Sequence, residues 1–142
     1  IGVLVALESK ADKTSLQKLG KELAMHIAAT SPSSISIDDL SSDLVERERK
    51  VLIEQAIASG KPEDIAKKMV EGRLRKFYSE VVLLEQNFVI DGETKVSDVI
   101  KKISKDLNQD IKISSFIRYN LGEGIEKNSK NFADEVAEQL SE

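Results

Sequence analysis

Ser59-Gly60-Lys61-Pro62-Glu63-Asp64 ends one helix and begins another within a single turn, and it constrains the fold more than any other stretch of the chain. Gly60 suits the left-handed position just past a helix end and Pro62 suits the first helical position. Glu63 and Asp64 complement the positive end of the helix that follows. Upstream, from about Ser42 to Ala58, a charge-rich segment carries a narrow apolar stripe of Leu44, Val45, Val51, Leu52, Ala56 and Ile57. Leu44 and Val51 stand one heptad apart, as do Val45 and Leu52, which is coiled-coil spacing. From Pro62 to about Leu84, the residues Ile65, Met69, Leu74, Phe77, Val81 and Leu84 mark the apolar side of a second helix. Two long helices joined so tightly turn back on each other as an antiparallel hairpin. Each helix covers only one side of its neighbour, so Leu44, Val51, Leu52, Ile65, Met69, Leu74 and Phe77 are candidate contacts for pairing with a second copy. The hairpin is then expected to project from the globular part and form a homodimer. Gly72 costs that helix about 1 kcal/mol relative to alanine, and close approach of the partner helix would compensate.

The flanking segments predict a small α+β unit. Ile1-Gly2-Val3-Leu4-Val5-Ala6-Leu7 reads as a strand apolar on both faces, placed centrally in a sheet or beneath a helix. Thr14-Ser15-Leu16-Gln17 has the capping-box form, and Leu16, Leu19, Leu23, His26 and Ile27 follow at helical spacing. That helix fades at Thr30-Ser31-Pro32-Ser33-Ser34, and Ile35-Ser36-Ile37 is a short extended link. Thr94 can cap a helix carrying Val96, Val99, Ile100, Ile103 and Leu107. Residues 111–121 alternate, with Ile111, Ile113, Ser115, Ile117, Tyr119 and Leu121 on one face and Ser114, Phe116, Arg118 and Asn120 on the other. A last short helix from about Lys130 carries Phe132, Val136 and Leu140. The fold expected is a small antiparallel sheet covered by helices, with the helical hairpin inserted in it.

Composition narrows the chemistry. The 142 residues include 21 Lys and Arg, 25 Asp and Glu, no Cys and one His, for a net charge of −4. Nucleic-acid and anionic-membrane binding both rest on concentrated positive charge, so neither is expected. Thiol chemistry is excluded, as is a multi-histidine metal site. The balance reads as a soluble cytoplasmic domain, and no cofactor is implied. The apolar opening is too short to span a bilayer and lacks the charged flank of a signal peptide. A chain that starts inside such a strand, without an initiator Met, reads as a piece of something longer.

No active site emerges from the motifs. His26 lies on an apolar helix face beside Leu23 and Ile27, where a core or interface histidine is the plain reading and a small hydrolase the rival. Gly60-Lys61 lacks the remaining residues of a phosphate-binding loop, and Gly122-Glu123-Gly124 lacks the third glycine of a dinucleotide fingerprint. Lys67, Lys68, Arg73, Arg75 and Lys76 are interleaved with Glu71 and the apolar stripe, as on a solvated helix flank. An interaction protein remains. Phe88-Val89-Ile90, placed where the chain leaves the hairpin, is either an exposed binding cluster or a short core strand.

Six blocks carry a family resemblance. Ile1-Gly2-Val3-Leu4-Val5-Ala6, Ala24-Met25-His26-Ile27-Ala28-Ala29 and Gly60-Lys61-Pro62 are the first three. Lys68-Met69-Val70-Glu71-Gly72-Arg73 and Leu84-Glu85-Gln86-Asn87-Phe88-Val89 follow. The sixth joins Phe116-Ile117-Arg118-Tyr119 to Gly122-Glu123-Gly124-Ile125-Glu126-Lys127. In this order, over nearly the whole chain, they resemble elongation factor Ts, the guanine-nucleotide exchange factor of elongation factor Tu.

The resemblance implies that residues 1–37 and 86–127 form the C-terminal subdomain of that family's core. By the same resemblance, residues 38–85 are the coiled-coil dimerisation hairpin and residues 128–142 the C-terminal helical module. It further implies that Phe88, Val89 and Ile90 meet the third domain of elongation factor Tu. Phe132 and Val136 would lean on its nucleotide-binding domain. Two departures stand out. Asn87 replaces the family's usual Pro, and the Thr-Asp-Phe-Val motif that intrudes near the magnesium site is absent. The chain thus resembles the partner-binding and dimerising half of the family. The rival is a free-standing coiled-coil assembly module.

Overall fold

A computed structural model describes residues 1–125 and 132–140, the latter with side chains from Val136 onward. The order of elements is β1 (Gly2–Ser9), α1 (Lys13–Thr30), α2 (Ser42–Ala58), α3 (Glu63–Val81), α4 (Val96–Leu107), β2 (Ile111–Tyr119) and α5 (Phe132–Gln139). Single 3₁₀ turns at Ile37–Asp39 and Leu83–Glu85 flank the α2–α3 pair. The class is α+β, as expected, with one antiparallel pair of strands, β1 against β2, among the described residues.

The main core lies between this sheet, α1 and α4. Leu19, Leu23 and Ile27 of α1 meet Leu83, Phe88, Val96, Ile100, Ile111 and Ile113 there. Three positions of α1 spaced by four make one apolar stripe, which is enough to seat a helix on the sheet.

The strands correct two expectations. β1 is not buried on both sides: Val3, Val5 and Leu7 turn inward, while Leu4 on the other face is 67% exposed. A two-stranded sheet with helices on one face leaves the other to solvent. In β2 the alternation does not hold along its length. Ala6 pairs with Ser115 but Leu7 pairs with Ile113, so Ser114 is an extra residue. This bulge turns the pleat over. Ile111 and Ile113 face the core before it and Phe116 and Arg118 after it, leaving Ile117 and Tyr119 outside. The inward Arg118 donates to the Ala28 carbonyl through Nε and Nη2, at 3.4 and 3.3 Å. That carbonyl is one of the last four of α1, which has no helical partner to accept from, and a guanidinium also complements that end of the helix.

Helix ends differ from expectation in two places. Asp12, not Thr14, caps α1, its carboxylate accepting from the Ser15 amide at 2.8 Å. Thr94 does not cap α4. Lys95 occupies that position without a side-chain bond, and Asp91 Oδ1 instead accepts the Glu93 and Thr94 amides at 3.0 Å. At the α2–α3 turn Gly60 takes the expected left-handed conformation at φ +80°, but Pro62 is the residue before the helix rather than its first, with extended backbone at ψ 147°, and α3 starts at Glu63.

The hairpin has its own inner packing. Ala56 of α2 and Ala66, Val70 and Leu74 of α3 are buried, and none of them belongs to the main core cluster. Arg49 pairs with Glu71 across the two helices. At the base, the chain entering the hairpin is tied to the chain leaving it. Ser33 donates to the Val81 carbonyl at 2.7 Å, Leu83 to that of Ser34 at 2.9 Å, and Leu84 to that of Ile35 at 3.1 Å.

Gly72 corrects a further expectation. A Cβ placed there meets nothing within 4 Å, so no partner helix approaches it. With helical backbone and open space, Gly72→Ala should raise stability by about 1 kcal/mol, a gain visible as a higher urea midpoint at unchanged slope.

Candidate functional site

The loop following the hairpin is fixed from both ends. Asn87 and Lys95 form an antiparallel bridge, the Phe88 amide donates to the Thr94 carbonyl at 2.8 Å, and the Val96 amide donates to that of Gln86 at 3.0 Å. Between them the chain reverses. Gly92, at φ +75°, returns its amide to the Phe88 carbonyl at 2.7 Å. Both bonds of the bridge come from the Phe88 and Val96 amides, so the pairing at position 87 does not depend on the Asn87 amide.

The apolar trio is split by this turn. Phe88 is 3% exposed and lies in the core, its ring 5.8 Å from that of His26. Val89 and Ile90 are 41% and 51% exposed. The exposed reading of Phe88 is therefore corrected: the ring is the anchor of the loop, and the two aliphatic residues beyond it form the accessible surface.

His26 supports that loop from α1. It is fully buried, and its ring nitrogens contact Gln86 Oε1 at 2.8 Å and the Val89 amide at 3.2 Å. Gln86, itself 3% exposed, donates from its Nε2 to the Glu80 carbonyl at 2.8 Å, and its Oε1 lies 3.1 Å from the Thr30 hydroxyl. The sequence reading missed Gln86. The available signal was a polar side chain at the end of an apolar run, facing a solitary histidine that needs a partner when buried. With no exposure and both ring nitrogens engaged, His26 offers nothing to a substrate. The core reading of this residue holds.

Burial holds the His26 imidazole below its ordinary value of 6.5, against a smaller upward pull from the Gln86 hydrogen bond. The sign for stability follows. A folded state that binds the proton less tightly than the unfolded chain is favoured above pH 6.5, and that contribution is lost as pH falls through the lower folded value. Acid unfolding should therefore begin at higher pH in the wild type than in His26→Gln, when melting temperatures are compared relative to each protein's neutral value.

The hairpin residues named from sequence fall into two groups. Leu74 is 1% exposed and belongs to the inner packing, so its place on an outward pairing surface is corrected. Leu44, Val51 and Ile65 are 41%, 46% and 50% exposed, and Leu52, Met69 and Phe77 are half-buried. Of the two residues named in the last helix, Val136 is 38% exposed and the Phe132 side chain lies outside the described residues. Among the described residues there is no group of acidic or histidine side chains that could hold a metal ion, and no helix long and apolar enough to cross a membrane.

The family model for elongation factor Ts matches residues 1–123. The chain belongs to the elongation factor Ts family. An elongation factor Ts from Rhodospirillum rubrum is 58% identical over 140 residues, covering 99% of this chain and 45% of the relative. One from Rickettsia felis is 57% identical over 138 residues, covering 96% of this chain and again 45% of the relative. The chain thus spans about half the length of these curated relatives. Its fixed loop, its hairpin and its core strands all fall within the matched residues.

Proposed function

We propose that this chain is the partner-binding portion of a cytoplasmic guanine-nucleotide exchange factor, that it docks on elongation factor Tu through Val89 and Ile90, and that it has no catalysis of its own. The observation that carries the reading is an apolar pair held outward on a loop tied at both ends, in a member of the elongation factor Ts family. Exposed aliphatic side chains on a pre-ordered loop lose little conformational freedom on docking, which makes them efficient contacts. Val136, on the last helix, is proposed as a second contact, with Phe132 as its companion. The exposed flank of the hairpin through Leu44, Val51 and Ile65 is proposed to meet a second copy.

Calorimetry with elongation factor Tu in its GDP form tests the docking. Val89→Ser combined with Ile90→Ser should weaken binding by about tenfold or more while the melting temperature stays within about 2 °C, because both side chains are half outside already. Full affinity in the double variant would sink the assignment. The same chain should accelerate GDP release far less than a full-length relative at matched occupancy, since it lacks the Thr-Asp-Phe-Val motif. A binder without preference for the nucleotide-free state cannot shift the equilibrium toward it. Equal release rates in stopped flow would defeat that part.

A further inference from the structure

We propose that His26 is the positioning residue of the Val89–Ile90 loop, acting as a neutral imidazole that accepts from the Val89 amide through Nδ1 and donates to Gln86 through Nε2. The inference rests on the reading of that loop as the docking element. A backbone N–H can only donate, so His26 Nδ1, 3.2 Å from the Val89 nitrogen, must carry a lone pair. The ring proton is then on Nε2, and it points at Gln86 Oε1, 2.8 Å away.

Gln86 is oriented independently. Its Nε2 donates to the Glu80 carbonyl at 2.8 Å, and a flipped amide would set oxygen against oxygen there and NH₂ against N–H at His26. A continuous relay therefore runs from the end of α3 through Gln86 and His26 to the backbone of the loop. Each member has one permitted polarity. Such a relay fixes where Val89 begins, while Phe88, packed on the imidazole at 5.8 Å, fixes the ring beside it.

The groups facing the imidazole are the Gln86 amide from the end of the 3₁₀ turn and the Val89 N–H and Phe88 ring from the loop, with the Thr30 hydroxyl of α1 lying against Gln86 Oε1 behind it. None is charged, and no charged side chain contributes to its titration. A proton added to Nδ1 would face the Val89 N–H with no carboxylate to compensate, so protonation breaks the link to the loop.

Nitrogen-15 chemical shifts of the ring in the 142-residue chain read the tautomer directly. At pH 7.5 Nδ1 should be bare and Nε2 protonated; the opposite tautomer overturns the proposal. Hydrogen exchange of the Val89 amide, normalised to its intrinsic rate, reads the latch. His26→Gln can still reach Gln86 but offers no acceptor at the Nδ1 position, so Val89 protection should fall about tenfold. His26→Asn, whose carbonyl lies near that position, should retain most of it, with Leu23 protection unchanged in both. Unchanged Val89 protection in His26→Gln overturns the proposal.

Should both variants lose protection globally, acid titration of the wild type decides. Val89 protection must then fall in step with His26 protonation and ahead of Leu23, and concerted loss overturns the latch. On the same samples His26→Gln should bind elongation factor Tu about tenfold more weakly, matching its lost protection. Lost protection with full affinity overturns the positioning role. Absence of binding by the wild type overturns the docking reading and the positioning role with it, while the tautomer and the Val89 amide still decide the latch.

Discussion

Phe88→Ala should lower the melting temperature of this chain by roughly 10–20 °C, corresponding to about 3–5 kcal/mol. The residue is 3% exposed and shares the core with Leu19, Leu23, Ile27 and Val96. Removing its ring leaves a cavity between α1 and the loop, and neither side can close it, because the loop is tied at Asn87, Thr94 and Val96. A domain with about 5–15 kcal/mol of total stability shows such a loss plainly. The expectation differs in kind from that for Val89 and Ile90, whose truncation should cost affinity with little stability. Calorimetric melts of Phe88→Ala beside the Val89→Ser, Ile90→Ser double variant make the comparison. A melting temperature unchanged in Phe88→Ala would return the ring to the surface and undo the anchor-and-display account of this loop.

The same trio shows what could be read from the sequence and what could not. Three consecutive bulky residues before Asp91-Gly92 announced a turn with an apolar edge, and that much is local. Which of the three turns inward depends on a partner 62 residues earlier, His26, and on Gln86 orienting it, and neither contact leaves a periodic trace. The hairpin was legible because Gly60 and Pro62 act on their own backbone. The bulge at Ser114 was not, since Ser114 and Ser115 offer no apolar contrast and a one-residue slip preserves an alternating pattern while exchanging its faces. Asp12 and Thr14 were both competent caps, and the carboxylate two residues earlier took the role. On the hairpin, helical spacing named the apolar stripe but not its two halves. The inner half is made largely of residues small enough to let the helices meet, Ala56, Ala66 and Val70, which hydrophobicity alone underweights.

That division sets the outcome for the hairpin. Leu74→Ala should destabilise it by about 2–5 kcal/mol, because Leu74 is 1% exposed and fills the seam between α2 and α3. Ile65→Glu should leave the monomer within about 0.5 kcal/mol of wild type, since Ile65 is 50% exposed, yet it should abolish pairing with a second copy. Spacings of seven and four residues put Leu44 with Val51, and Ile65 with Met69, along an edge of each helix, where a symmetric partner would meet them. In a two-fold arrangement each introduced glutamate appears twice, so one substitution places two unpaired charges in the contact. The pairing itself should be weak. Leu44, Val51 and Ile65 are already half covered, so full burial adds about 1 kcal/mol apiece rather than the 1.5–3 kcal/mol of a residue taken wholly from water. Counted on both copies, that is about 6 kcal/mol, which at best offsets the low end of the roughly 4–15 kcal/mol that association costs, so the half-buried Leu52, Met69 and Phe77 must also gain cover for a micromolar dimer. Sedimentation velocity from about one to several hundred micromolar should show wild type moving from monomer toward dimer, Ile65→Glu staying monomeric, and Leu74→Ala melting early in circular dichroism. A wild type monomeric throughout that range would remove the second copy as the occupant of this flank, whereas early melting of Ile65→Glu would show that Ile65 packs within its own chain.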